Sequence, residues 1–335
     1  MERQNVYCEI EFYKLFIDAY PKEVIPTEEG IKKSKRWINI HSYLFKSDLI
    51  LNTNSIEFKA LTESDEYFWT LWKRSTSGEC GLEFDDKGFP FFEKFDEFIS
   101  IDNLHFSSVY LTCNSSECCQ TIESFYGVKV IPFENVFKSD KFFDIQIESI
   151  EKGDKSHKNW DFLEIYSHPC NALAIVDNYI LKSEMIITEN LLPILDRLLP
   201  KKLEIPFHIS IFAKNDFNNK KYHEEISNLI TRIKPELSFK LTIHKMQNEF
   251  HDRSIITNYL LIDSGSGFDL FSKNRAIHQT RITGYYPFSA ANINTDARLT
   301  YQAIKKSLRK IFETACDTEY LTTFWGDKEN RLFEN

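Results

Sequence analysis

The alternation of apolar and polar positions changes along the chain, and its second half carries the clearer signal. Ala172-Leu173-Ala174-Ile175-Val176 is a continuous apolar run, the mark of a strand buried on both faces. Phe207 to Phe212 and Phe239 to His244 alternate with period two and predict two more strands. Helices are expected between them. One runs from Glu189 to Leu199 with Pro193 in its first turn; the other, from about Lys220 to Lys234, places Ile226, Leu229, Ile230 and Ile233 on one face. This β-α-β-α-β series predicts a mainly parallel sheet with right-handed crossovers. A last helix is expected after Asn294-Thr295-Asp296, which supply good capping residues. Its apolar face is Leu299, Ala303, Ile304, Leu308, Ile311 and Phe312, and its polar face Arg298, Lys305, Lys306, Arg309 and Lys310.

In the first half, Tyr13 to Asp18 reads as a short strand ending in an acid, and Ser108 to Thr112 as another. Glu117 to Phe125 suits a helix and Gly127 to Ile131 a further strand, which points to an α/β layer. From Glu57 to Phe98 the chain is aromatic-rich without an assignable period. The polar stretch Glu151 to Asn159, with Gly153 inside it, reads as a break. The expectation is an α/β domain over residues 1–155, followed by a second over 156–335 with a mixed, mainly parallel sheet flanked by helices.

Composition narrows the function. At 335 residues, with 42% hydrophobic and 27% charged positions, the chain has globular proportions and fits two domains. It opens without a basic-then-apolar leader and has no run that reaches a membrane span, so a cytoplasmic location is expected. Seven Cys without a regular framework suit a reducing compartment. Cys113, Cys118 and Cys119, with His105 upstream, have poor spacing for one zinc tetrahedron, and neither metal nor cofactor is expected. Residues 1–155 hold 18 Lys and Arg against 28 Asp and Glu, whereas the remainder holds 23 against 22. An acidic front half makes a poor cradle for nucleic acid, so any anionic ligand belongs to the back half. There is no Walker-type loop, no Gly-x-Ser-x-Gly elbow and no Gly-x-Gly-x-x-Gly, and His168-Pro169-Cys170 lacks the Cys-x-x-Cys of a zinc deaminase.

One stretch does carry chemistry. His251-x-Arg253-x4-Asn258 has the spacing of the His-x-Lys-x4-Asp signature of the phospholipase D superfamily. On a strand, His251 and Arg253 would share a face, pairing an imidazole nucleophile or acid with a fixed cation for phosphate oxygens. Ser264-Gly265-Ser266-Gly267 adds hydroxyls and backbone N–H groups that could face an anion. Arg253, Ser264, Ser266, Lys305 and Arg309 form the expected phosphate-binding set, and His251, Arg253 and Asn258 the catalytic set if there is turnover.

The longer pattern resembles a specific branch. Ala174-Ile175-Val176-Asp177-Asn178-Tyr179-Ile180, then His251-Asp252-Arg253, then Gly267-Phe268-Asp269-Leu270-Phe271, is similar to the phospholipase D-like C-terminal domain of MIT-domain proteins. The resemblance covers roughly residues 160–290. It implies a phospholipase D-like fold that binds acidic headgroups without catalysis; the related prokaryotic His-Asp-Arg domains look like components of anti-phage systems. The MIT hairpin itself is missing, and the role of the MIT proteins in membrane abscission is not carried over.

Departures from the catalytic pattern favour binding. Arg253 stands for Lys and binds phosphate bidentately but cannot share a proton. Asn258 stands for Asp and brings no charge to an imidazolium. Active members combine two His motifs and this chain has one, so catalysis would need a homodimer. The first half is similar in outline to PIN nuclease domains through Phe16-Ile17-Asp18, Leu111-Thr112-Cys113-Asn114 and Tyr126 to Ile131. Those domains gather acids around Mg²⁺, but Asn114 stands where an acid is expected. The leading expectation is a phosphate-binding accessory component of a microbial defence system, with an acidic front half that contacts a protein partner. The alternatives are a metal-independent nuclease or phosphodiesterase built by a homodimer, and a scaffold without ligand.

Overall fold

Two large sheets and a two-stranded ribbon, Phe271–Ser272 with Arg275–Ala276, organise the described residues. The computed structural model describes residues 3–20, 27–85, 104–138, 146–151, 157–167, 169–214, 219–246, 253–286, 296–317, 324–327 and 329–333. The fold is α/β, and the chain divides into two compact units. No helix among the described residues is long and apolar enough to cross a membrane.

The first unit starts with β1 (Asn5–Cys8), α1 (Ile10–Asp18), α2 (Glu28–Phe45) and β2 (Asp48–Leu51). It continues through α3 (Ser55–Ser64), α4 (Glu66–Thr76), β3 (Gly81–Phe84), β4 (Val109–Thr112), α5 (Ser116–Tyr126) and β5 (Lys129–Pro132). The five strands lie in the order β3-β2-β1-β4-β5, all parallel. Every residue of β4 and β5 is buried, as helices on both faces of a parallel sheet require. Asn54 and Asp65 side chains accept N–H groups at the starts of α3 and α4, which explains helix in the stretch whose periodicity was unreadable.

One expectation is corrected here. Tyr13 to Asp18 is part of α1, not a strand. Phe12, Tyr13, Phe16 and Ile17 are the buried positions, a helical spacing, and Phe16 stacks on Trp37 at 5.2 Å. The strand is the preceding Asn5–Cys8, so the acid at a strand end is Glu9; Asp18 is exposed at the end of α1.

The second unit holds β6 (Gln146–Ile150), a 3₁₀ helix (Trp160–Tyr166), β7 (Ala172–Val176), α6 (Leu192–Leu198), β8 (Phe207–Ala213), α7 (Asn219–Ile233) and β9 (Phe239–Lys245). Then come β10 (Arg253–Thr257), β11 (Leu261–Ser264), β12 (Phe271–Ser272), β13 (Arg275–Ala276), β14 (Thr280–Tyr285), α8 (Asp296–Asp317) and β15 (Phe324–Gly326). An eight-stranded sheet runs β15-β9-β8-β7-β10-β11-β14-β6. The β7, β8 and β9 strands are parallel, as the β-α-β-α-β series expects. Antiparallel strands extend them on both sides, which makes the sheet mixed. Because β6 pairs with β14, the second unit begins ahead of the polar stretch at 151–159 and that stretch lies within it.

Helix boundaries follow local chemistry. Pro193 sits in the first turn of α6, and a π turn (Ile187–Leu191) leads into it. Along α8 the buried positions are Tyr301, Ile304, Leu308 and Phe312, whereas Leu299 is 43% exposed and Ala303 faces solvent. The buried stripe thus starts at an aromatic residue that the expected apolar face omitted.

Candidate functional site

The two halves of the second sheet run in opposite senses from β7, with parallel β8 on one side and antiparallel β10 on the other. Open α/β sheets bind ligands beyond the carboxyl ends of their strands at such a switch point. Asp177 follows the last residue of β7, and its neighbour across the antiparallel ladder is the first residue of β10, Arg253, which pairs with Ser264 of β11. Lys214 follows β8, and Lys245 ends β9 at the same edge.

Asp177 is almost fully buried. Its Oδ1 accepts the Tyr179 N–H at 2.7 Å, and its Oδ2 accepts the Phe268 N–H at 2.6 Å. Burial pushes its carboxyl above the usual carboxylate range and nearby Asp269 adds to this, while the two N–H groups and Arg253 pull the other way. The turn after β11 passes over this carboxylate through Gly267, at φ +109°. A Cβ there would stand 2.8 Å from Asp177 Oδ2, 3.0 Å from Arg253 Cδ and 3.2 Å from Asp269 Oδ1. Glycine is what lets two acids and an arginine converge at this point.

The Arg253 guanidinium lies 5.9 Å from the centre of the Tyr179 ring, and Lys182 Nζ is 5.6 Å from the same ring. Arg253 Nε is buried, and among the described residues it has no hydrogen-bond acceptor. An unanswered buried donor on a cation is costly, and an anion would relieve that cost. Asp177 receives one backbone N–H at each oxygen and interacts with Arg253 through its charge, with no hydrogen bond between the two side chains.

The expected site residues are partly brought together. Arg253 is at the centre. Ser264 is beside it, but its hydroxyl donates to the Gly267 carbonyl at 2.5 Å and receives the Gly267 N–H at 3.1 Å. The Ser266 N–H goes to Thr280 Oγ1 at 3.0 Å. The Ser-Gly-Ser-Gly turn therefore spends these groups on holding its own shape. Asn258 lies beyond the opposite end of β10, about 16 Å away at the usual rise per residue. There its Oδ1 accepts the Asn171 and Ala172 N–H groups at 3.0 and 3.1 Å, fastening the start of β7. Tyr301 anchors α8 to that same end through the Thr257 carbonyl at 2.7 Å. On α8, Arg309 Nε pairs with Glu313 at 2.7 Å, and Lys305 lies one turn after Tyr301. His251 lies outside the described residues.

Asp177, Tyr179 and Asp269 are site residues that reading the sequence for catalytic types did not single out. The signal was available: they belong to the first and third elements of the family resemblance, and the sheet brings those elements to Arg253.

In the first unit, the carboxylate at the carboxyl end of β1 is Glu9. It accepts Thr112 Oγ1 and the Cys113 N–H, both at 2.6 Å, and Asn114 Nδ2 at 3.4 Å. Glu9 thus ties β1 to β4; burial first, and then the charges of Glu9 and Glu11, raise the Cys113 thiol to about 11. Among the described residues no group of three or more His, Cys, Asp or Glu side chains is placed to hold a metal ion. Cys119 is buried, Cys118 half-buried and Cys113 exposed. No family model matches this chain, and no curated protein matches it.

Proposed function

We propose that the second unit is a binding module for a phosphate-bearing ligand, held by Arg253 at the carboxyl edge of β7. The observation that carries this reading is the Arg253 guanidinium, braced on Tyr179, with a buried Nε that no described residue satisfies. Lys182, Lys214 and Lys245 at the same edge add positive charge in its support. The resemblance of the Asp177-x-Tyr179, Arg253 and Gly267-x-Asp269 elements to the phospholipase D-like domain of MIT proteins agrees with an anionic ligand. Following the prokaryotic members of that branch, the chain is proposed as an accessory component of a microbial defence system, its acidic first unit facing a protein partner.

Binding is preferred to catalysis for two reasons. Arg253 cannot exchange a proton at neutral pH, and Asn258, the counterpart of the signature Asp, is committed to the far end of β10. The test pairs titration with cleavage. Wild type should bind inorganic phosphate and leave labelled DNA and RNA intact, with or without EDTA. Cleavage that survives EDTA and disappears in His251→Ala would replace the binding reading with the dimeric phosphodiesterase.

A further inference from the structure

The candidate site holds a second group that the phosphate reading leaves unused. Asp269 is half-buried, and its Oδ1 lies 3.2 Å from the point above Gly267 that Arg253 Cδ approaches to 3.0 Å. Among the described residues Asp269 accepts no hydrogen bond and pairs with no cation, in contrast to Asp177 beneath it, both of whose oxygens are engaged. The site therefore presents a cation and a carboxylate on the two flanks of one glycine turn, neither hydrogen-bonded to a described residue. A bare anion serves the first and is repelled by the second. A ligand that serves both must bring a hydrogen-bond donor next to its phosphate.

We infer that the ligand is a phosphate ester carrying hydroxyl groups next to its phosphate, and that Asp269 is the residue that selects it. The inference rests on the phosphate reading of Arg253. Arg253 takes the phosphate oxygens, and Asp269, which flanks the same Gly267 turn, accepts the neighbouring hydroxyl. Hydroxyl-to-carboxylate bonds are charge-assisted, so the half-buried Asp269 favours a ligand with a hydroxyl over the analogue without one. Glycerol and sugar phosphates with a vicinal hydroxyl, ribonucleoside 2′- or 3′-phosphates and inositol phosphates share this chemistry.

The test is calorimetric titration of the full chain with propyl phosphate and with glycerol 3-phosphate, which match in length and differ in their hydroxyls. Wild type should bind glycerol 3-phosphate at least about tenfold more tightly, the scale of one hydrogen bond to a charged group. Asp269→Ala should erase this preference by weakening glycerol 3-phosphate while leaving propyl phosphate equal or tighter, since a negative charge has gone. Titration with 3′-AMP, which carries the 2′-hydroxyl beside its phosphate, and with inositol 1-phosphate then separates a nucleotide source from a polyol source. Equal wild-type binding of propyl phosphate and glycerol 3-phosphate overturns the inference and leaves the Arg253 reading standing, and so does an equal loss of both in Asp269→Ala. Failure of wild type to bind any of these compounds, or inorganic phosphate, overturns the Arg253 reading as well. The wild-type comparison decides the matter even if the variant does not fold.

Discussion

Asp177 Oδ2 accepts the Phe268 N–H at 2.6 Å, which ties the carboxyl end of β7 to a turn 91 residues further along the chain. Phe268 is itself fully buried against Trp160, so the turn is held from both sides. The bond places Gly267 directly over the carboxylate and leaves Arg253 and Asp269 on its flanks. Electrostatics at the site thus depends on a backbone path that only one residue type follows without strain.

Gly267→Ala should therefore damage stability and binding together. A left-handed backbone for a non-glycine residue and a Cβ 2.8 Å from a buried carboxylate oxygen each add strain, in total about 2–4 kcal/mol. Urea unfolding followed by circular dichroism checks the stability. Gly265→Ala is the control: its Cβ would meet nothing closer than 3.5 Å, and stability should change by less than about 1 kcal/mol.

Asn258→Ala separates the structural residue from the binding ones. It strands the buried N–H groups of Asn171 and Ala172, at a cost of about 2–4 kcal/mol for the pair. Phosphate affinity of the folded protein should stay within about twofold of wild type, because the change lies at the far end of β10. A large loss of affinity without a loss of stability would contradict this assignment.

The sequence made the parallel heart of the second unit legible. Ala172 to Val176 is apolar on both faces and wholly buried, so burial and pattern agree there; Phe207 to Ala213 alternates in sequence, yet its polar His208 and Ser210 are buried as well. Strand β1 was hidden because Asn5-Val6-Tyr7-Cys8 is only four residues long and opens on a polar one, while the aromatic run that follows it imitates a strand. The site was half legible. Spacing marked Arg253, and the same spacing also marked Asn258, which lies beyond the other end of the strand and fastens the start of β7. Asp269 and Asp177 gain their meaning from a contact across β7 and the turn, which no local pattern encodes.

Acid should weaken the second unit through two imidazoles. His244 is buried among Phe212, Phe312 and Phe324, and burial lowers its pKa to about 3. His208 is also lowered to about 3, first by burial and then by Arg331 and Lys240; its Nδ1 accepts the Arg331 N–H at 3.1 Å. Unfolded histidine titrates near ~6.5, so between that value and about 3 the unfolded chain holds more protons than the folded one. Stability is full above about pH 6.5 and falls as pH drops toward 3, by at most ~1.4 kcal/mol per pH unit for each imidazole. Urea midpoints at pH 7 and pH 5 should differ less in His244→Phe than in wild type, because the replacement fits the aromatic box and takes up no proton. An identical shift in both proteins would show that His244 is not neutral in the fold.

The central claim is that Arg253 holds a phosphate, and isothermal titration of inorganic phosphate into wild type, Arg253→Ala and Arg253→Lys tests it most directly. Arg253→Ala should lose ~1.5–3 kcal/mol of binding free energy, the worth of a hydrogen bond to a charged group, and Arg253→Lys should recover part of it, since a lysine keeps the charge without the planar fork. Unfolding free energies of the three proteins should agree within about 1 kcal/mol, because the buried Arg253 Nε has no hydrogen-bond partner among the described residues. Equal phosphate affinity in all three, with Arg253→Ala clearly less stable, would contradict the account and make Arg253 a structural residue.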